Sequence, residues 1–132
     1  GGDRYFEEGA WYGVTENPPR KQRVRGVILL LREAELIDHN ILQVRAGTNC
    51  PDGGGGQHGG GITAFELTDL GGTDMRVSLK TKDGEVIREV EVESVMLTFG
   101  GNAENRTFEN ALSFALNSYA LTAVTKKDKS GV

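Results

Sequence analysis

The sequence has little cysteine, no long apolar run and no excess of positive charge, and each absence excludes a class of protein. One cysteine in 132 residues excludes an internal disulfide and fits a reducing compartment, so we expect a cytoplasmic protein. The longest apolar run, Val27 to Leu31, is far too short to cross a bilayer, and no secretory signal pattern is visible. We therefore expect no membrane partner, and the length allows one domain with one core.

The charge balance limits the choice of ligand. A net charge of −4 argues against general nucleic-acid binding, which needs a basic surface, so nucleic acid is an unlikely partner. The short basic run from Arg20 to Arg25 is interpreted as a solvated strand entry. A small phosphate-bearing ligand stays possible because one or two local donors are enough to hold it.

Glycine is abundant, with 19 residues, and it is concentrated between Gly47 and Gly61, which reads GTNCPDGGGGQHGGG. Such a stretch cannot form a core, because glycine has no side chain to bury and loses the most backbone entropy on ordering. It is either a flexible connector or a place where backbone approaches a ligand or a partner closely.

Three parts of the chain follow from composition and periodicity. Residues 1–23 lack a clean period but hold four aromatic residues and the pair Pro18-Pro19, which forces an extended path. They predict an N-terminal arm, either mobile or packed as a strap over the domain or a neighbouring subunit. Residues 24–125 predict a single α+β domain, and residues 126–132 predict a flexible C-terminal tail.

About five strands are predicted in the domain. The first strand has apolar residues at both odd and even positions, so we expect it to be covered on both sides of the sheet. A turn at Asp38-His39-Asn40 separates the first two strands, and the strand after Gly84 changes phase near Glu93-Ser94, which predicts a β-bulge or a bend. The predicted strands are Val24–Leu36, Ile41–Ala46, Ile62–Leu70, Met75–Lys80 and a segment ending at Phe99.

The dipeptide Asp83-Gly84 predicts a two-residue type I′ hairpin turn, since both central positions need positive φ. That turn sets a register in which apolar residues face one another and Arg76 lies opposite Glu91. The predicted pairs on this face are Leu79 with Arg88, Val77 with Val90, and Met75 with Val92.

The last element is a helix over residues 103–124, with an apolar face spaced as in an amphipathic helix. Phe114 and Leu121 fall on the opposite side, and they must be buried elsewhere. This second apolar spot indicates a homo-oligomer, or else coverage by the N-terminal segment. The predicted fold is α+β, a mainly antiparallel sheet with one C-terminal helix packed across it.

Two glycine-rich turns predict a site for a small anion. Consecutive glycines can point several backbone N–H groups at one phosphate, and a helix N-terminus adds a favourable dipole. Arg106 in the first turns of the helix would meet the anion. The alternatives are a mobile loop, a subunit contact and an ordinary helix cap. The candidate ligand-binding residues are Gly54, Gly55, Gln57, His58, Gly59, Gly100, Gly101, Asn102 and Arg106.

Cys50 and His58 allow a nucleophile–base pair on paper, and Asp52 could complete a metal site with them. Four consecutive glycines between Asp52 and Gln57 work against the rigidity that catalysis needs. We therefore predict no catalytic residue, no metal and no cofactor.

These observations predict a non-enzymatic, oligomeric protein that binds a small anionic, nucleotide-like ligand. Small phage-encoded proteins that sequester signalling nucleotides are an analogy for such a role. The first alternative is a structural or interaction protein whose glycine loop and aromatic arm make subunit contacts. The second alternative is a small hydrolase that uses Cys50 and His58.

Overall fold

The computed structural model describes residues 2–7, 10–49 and 61–130, with side chains described over 13–49, 61–101 and 103–122. The α+β fold class is confirmed: an antiparallel sheet, a separate hairpin and one C-terminal helix. The elements are β1 (Gly2–Glu7), β2 (Ala10–Val24), β3 (Val27–Ile37), β4 (Ile41–Thr48), β5 (Ile62–Gly71), β6 (Arg76–Lys80), β7 (Val86–Glu91), β8 (Ser94–Gly100) and α1 (Asn102–Ser130).

Six strands form the main sheet in the order β1-β2-β3-β4-β5-β8, and β6 pairs only with β7 among the described strands. The segment predicted as an arm contributes two of these strands, since β2 pairs antiparallel with β3 along most of its length. The turn at Asp38-His39-Asn40 is confirmed between β3 and β4.

A β-bulge bends the long β2–β3 hairpin at Pro18-Pro19. The register runs through Asn17 opposite Glu33 and resumes with Arg20 opposite Leu31, so the two prolines face one residue, Arg32. Proline has no N–H to give to a ladder, and a bulge is one of the few places where a sheet tolerates it. The predicted extended path of the two prolines is confirmed, and the bulge explains why the sheet tolerates them at this position.

The far end of this hairpin is a tight turn at Arg25-Gly26. Both residues have positive φ, 51° and 86°, and Val24 pairs with Val27 across the turn, as in a type I′ hairpin. The prediction of one continuous strand over Val24–Leu36 is therefore wrong at its start. Val24 and Val27 on either side of the turn are both apolar, so hydrophobicity alone does not mark the break.

The core lies on one face of the sheet, where the bent hairpin packs over β4 and β5. Leu29 and Leu31 are fully buried there, and the cluster is completed by Val24, Ile62 and Ala64. Gly47 makes this packing possible: a Cβ at that position would collide with the Leu30 carbonyl oxygen and lie 2.8 Å from Leu31 Cδ2. The strands approach so closely that no side chain fits between them.

The first strand of the predicted domain is covered on one side only, which corrects the expectation of two-sided burial. Ile28 and Leu30 alternate with the buried leucines and are 53% and 56% exposed. The described part of the chain places no layer over them. Apolar residues at both odd and even positions of β3 therefore do not mean burial on both sides: one face is buried and the other is uncovered.

The β6–β7 hairpin confirms the predicted pairs far from the turn and corrects the turn itself. Arg76 faces Glu91 and Val77 faces Val90, as predicted, but Leu79 faces Ile87 instead of Arg88. The loop has three residues, Lys82 to Gly84, with Gly84 at φ 95°, and the pair Arg88-Glu89 lies opposite Ser78 as a bulge. Because of the bulge, Ile87 lies on the apolar face of the hairpin, opposite Leu79. A two-residue turn would have placed Ile87 on the other face.

The chain bends between β7 and β8, where it passes from the hairpin into the main sheet, so the predicted change of phase near Glu93-Ser94 is confirmed as a bend. Helix α1 then runs to Ser130, beyond the predicted end at Val124. It packs on the sheet through Phe108, whose ring centroid lies 4.5 Å from that of Phe99 and 5.6 Å from that of Phe65.

Gly47→Ala is expected to lower the free energy of unfolding by about 1–3 kcal/mol, because the added methyl group forces β3 and β4 apart. Gly71→Ala is the matched control: Gly71 is also in a strand, and no heavy atom lies within 4 Å of its Cβ position. Urea unfolding of both variants measures the difference. Equal midpoints for the two variants would show that the close approach at Gly47 carries no stability.

Candidate functional site

The turn from β8 into α1 contacts Gly61, the last residue of the glycine stretch that was predicted to form a site with this turn. The backbone N–H of Gly101 donates a hydrogen bond to the carbonyl oxygen of Gly61 over 2.8 Å. Gly101 has φ 128°, a conformation that disfavours any other residue. The last glycine of the long stretch therefore lies against the start of the helix.

Most of the predicted ligand-binding residues belong to the glycine stretch, and Gly54, Gly55, Gln57, His58 and Gly59 lie outside the described residues, as does Cys50. The ends of this segment are close together. Asn49 N–H donates to the Ile62 carbonyl (3.2 Å), and Ile62 N–H donates to Asn49 Oδ1 (2.7 Å). The stretch thus connects one strand to the next, as predicted, with no helix following it.

Two oppositely charged side chains lie at the helix start. A Cβ on Gly100 would be 3.1 Å from Arg25 Nη2, and one on Gly101 would be 2.7 Å from Glu104 Cδ. A carboxylate near a helix N-terminus is favourable for the helix dipole. Glu104 therefore occupies the position at which the sequence predicts a bound anion, while the Arg25 guanidinium lies beside the neighbouring residue, Gly100.

The remaining predicted residues differ in their placement. Asn102 is the first residue of α1, and Arg106 is exposed on its surface. Asn105, which was not predicted as a site residue, is 3% exposed. Arg25 was also missed as a site residue, because its neighbourhood of basic residues indicates a solvated strand. The sequence feature that could have indicated Arg25 is the dipeptide Arg25-Gly26. It forms a turn, and this turn places the Arg25 side chain next to Gly100.

A row of charged side chains crosses the core face of the sheet and was not predicted from the sequence. Glu33, Arg45 and Glu66 are direct neighbours on β3, β4 and β5. Arg45 Nε lies 3.3 Å from a Glu33 oxygen, and Arg45 Nη1 donates to a Glu66 oxygen over 3.0 Å. One guanidinium thus serves two carboxylates.

Glu33 is the most buried member of this row. Its residue is 7% exposed, and Asn17 Nδ2 donates to its second oxygen over 2.6 Å while Arg20 lies at 3.7 Å. A carboxylate this deeply buried needs partners for its charge. Arg45 Nε is buried and makes no hydrogen bond to a described residue, so it is held in the row by its charge alone. We assign this ion-pair network to stability rather than to catalysis.

The other prominent surface is apolar. Five large side chains of α1 beyond Phe108 are exposed. On the amphipathic side that continues from Phe108, the exposed fractions are 43% for Leu112, 70% for Leu116 and 68% for Tyr119; on the opposite side they are 74% for Phe114 and 70% for Leu121. Contiguous exposed apolar surface of this kind marks an interaction site on a protein.

Neither a metal site nor a membrane span accounts for these surfaces within the described residues. They contain no group of three or more His, Cys, Asp or Glu side chains that could hold a metal ion. The helix lacks an apolar stretch of the length that a bilayer crossing requires. Comparison with protein-family models, with curated proteins and with solved structures found no match to the chain.

Arg45→Met is expected to destabilise the fold by about 3 kcal/mol, because it leaves the Glu33 carboxylate buried without its nearest cation. This loss of stability is at the low end of the range for breaking a buried ion pair, since Arg20 stays near the Glu33 carboxylate. Arg32→Met is the control: Arg32 lies on the same sheet, is 74% exposed and pairs with Glu16 at the surface. Its loss is expected to change stability by about 1 kcal/mol or less.

Chemical denaturation at neutral pH compares the two variants. A similar small effect for both would show that the row Glu33–Arg45–Glu66 is not a buried network.

Proposed function

We propose that the protein is a non-enzymatic structural protein that associates with copies of itself through α1 and the sheet face on which α1 packs. The observation that carries this proposal is the exposed apolar surface on two sides of α1: Leu116 at 70% on the side that continues from Phe108, and Phe114 at 74% on the opposite side. Fully burying a side chain of this size is worth about 1.5–3 kcal/mol, so several of them favour association strongly.

The helix leaves most of its own sheet uncovered. Its contacts with the sheet are with β5 and β8, through Phe108 against Phe65 and Phe99. Leu97 lies on the same face, directly opposite Phe65 across the two strands, and is 47% exposed. The helix therefore packs on Phe65 and Phe99 but leaves Leu97, the neighbour of Phe65, half exposed.

The same face of the sheet carries further apolar residues away from the helix. We call it the helix-side face; the register places Leu36, Ala34, Val44 and Leu67 on it, and none of them is buried. A groove of about 380 Å³ crosses it, lined by Val14, Ala34, Val44 and Ala46 and by the charged residues Glu16, Arg32 and Glu33. Its apolar residues suit the apolar side of a second α1, while Arg32 and Glu16 in the same groove are paired with each other.

Leu116→Glu and Phe114→Glu are each expected to weaken self-association by at least about tenfold, because a charge replaces a side chain buried between copies. Sedimentation velocity over a range of protein concentrations measures the effect. Both side chains are exposed in the single chain, so circular dichroism and thermal stability of the dissociated variants should stay close to those of the parent.

Ser113→Glu is the matched control. It adds the same charge to an exposed position of α1 that lies between the two apolar sides, and is expected to leave association unchanged. A parent protein that stays monomeric at every concentration contradicts the proposal, and so does an equal effect of all three substitutions.

A second candidate function is the binding of a small anionic, nucleotide-like ligand at the turn before α1. Two observations favour it: Gly61 meets Gly101 at this turn, and the guanidinium of Arg25 lies beside Gly100. The carboxylate of Glu104 at the same turn opposes an anion, which is why we rank this function second.

Thermal unfolding with a panel of nucleotides and cyclic nucleotides tests the second candidate. A ligand at about 100 times its dissociation constant stabilises the folded state by about 2.7 kcal/mol, which is a shift of several degrees for a domain of this size. Arg25→Gln is expected to abolish the shift, and Arg23→Gln, on the same hairpin, to preserve it. If no phosphate-bearing compound raises the transition temperature, this function is wrong.

A further inference from the structure

We infer that two copies of the chain join along the outer edge of β8, pairing β8 antiparallel with β8 of a second copy so that the two main sheets become one. This inference rests on the proposed self-association and specifies its geometry. Among the described strands, β8 has one hydrogen-bonded neighbour, β5, and therefore ends the sheet.

The hydrogen bonds at the two ends of the β5–β8 ladder show which backbone groups face this edge. Gly101 N–H donates to the Gly61 carbonyl, and Asp69 N–H donates to the Glu93 carbonyl, with all pairs between them in one unbroken register. Hydrogen-bonded pairs alternate along an antiparallel ladder. Val95, Leu97 and Phe99 thus bond to β5, and Ser94, Met96 and Thr98 direct their N–H and C=O groups outward.

This edge lacks the features that keep strands from pairing. The sequence of β8, SVMLTFG, contains no proline and no charged residue, and its register with β5 has no bulge. Edge strands that stay single usually carry such protection. The opposite edge, β1, includes Asp3, Arg4 and Glu7 in six residues. The β8 edge is therefore the one suited to strand pairing, and an antiparallel pair of identical strands has the two-fold symmetry of a closed dimer.

The position of α1 supports the same arrangement. β8 ends at Gly100 and α1 begins at Asn102, so only Gly101 separates the strand from the helix. A groove of about 460 Å³ lies at this junction, lined by Phe99, Ala103, Phe108 and Ala111 together with Glu104 and Thr107. Pairing at β8 brings the helix-side face of the second copy beside this groove and beside the exposed turns of α1. The edge and the helix then form one continuous interface.

Amide hydrogen exchange of the parent protein, resolved by residue with NMR, tests this geometry without a mutation. The amides of Met96 and Thr98 are expected to exchange at least about tenfold more slowly at concentrations at which the protein is associated than at those at which it is monomeric. The amides of Val95 and Leu97 are the internal control, because their bonds to β5 protect them in both states.

A pair of substitutions gives a second readout. Thr98→Pro removes only an outward N–H, which an edge strand tolerates, and is expected to raise the dissociation constant at least about tenfold. Thr98→Val keeps that N–H and is expected to leave the constant unchanged.

The outcomes separate the two proposals. An associated protein whose Met96 and Thr98 amides exchange as fast as in the monomer overturns the β8 geometry and leaves self-association standing. Equal dissociation constants for the proline and valine variants overturn it as well. A parent that never associates overturns both.

Discussion

The fold depends on one close approach, between the backbone of β3 at Leu30 and the backbone of β4 at Gly47. The bulge at Pro18-Pro19 bends the long β2–β3 hairpin toward it, and the absence of a side chain at Gly47 lets the strands meet. This bend buries Leu29 and Leu31 and carries Arg25, at the hairpin tip, to the start of α1. A side chain at position 47 would hold the hairpin away from the core and from the helix.

Because the bent hairpin fills one face of the sheet, the other face is left to α1, and α1 covers only a small part of it. The core face is closed by leucines and by the Glu33–Arg45–Glu66 row. The helix-side face and the apolar side of the helix both stay exposed within one chain. Two uncovered apolar surfaces on the same side of a small domain are best explained if each covers the other in a second copy.

Local patterns in the sequence predicted the fold class, most strands, the register of β6 and β7 far from their turn, and the helix start. What they missed depends on contacts between distant segments. Nothing near Arg25 shows that Gly100 lies beside it, and Glu33 and Arg45 look like solvated strand residues until β3, β4 and β5 are aligned. The odd spacing of Ile87 and Val90 did contain the signal for the bulge, but the Asp-Gly dipeptide suggested a simpler turn. The oligomer was predicted from Phe114 on the second side of the helix, and the exposure of that residue supports the same proposal.

The most direct test of self-association is the molar mass of the purified protein in solution, measured by light scattering during size-exclusion chromatography. The chain mass is 14.3 kDa. Self-association through two-fold contacts predicts a mass of twice that value, or a higher even multiple, at concentrations above the dissociation constant. A mass of one chain at every concentration, with α1 folded, would contradict it.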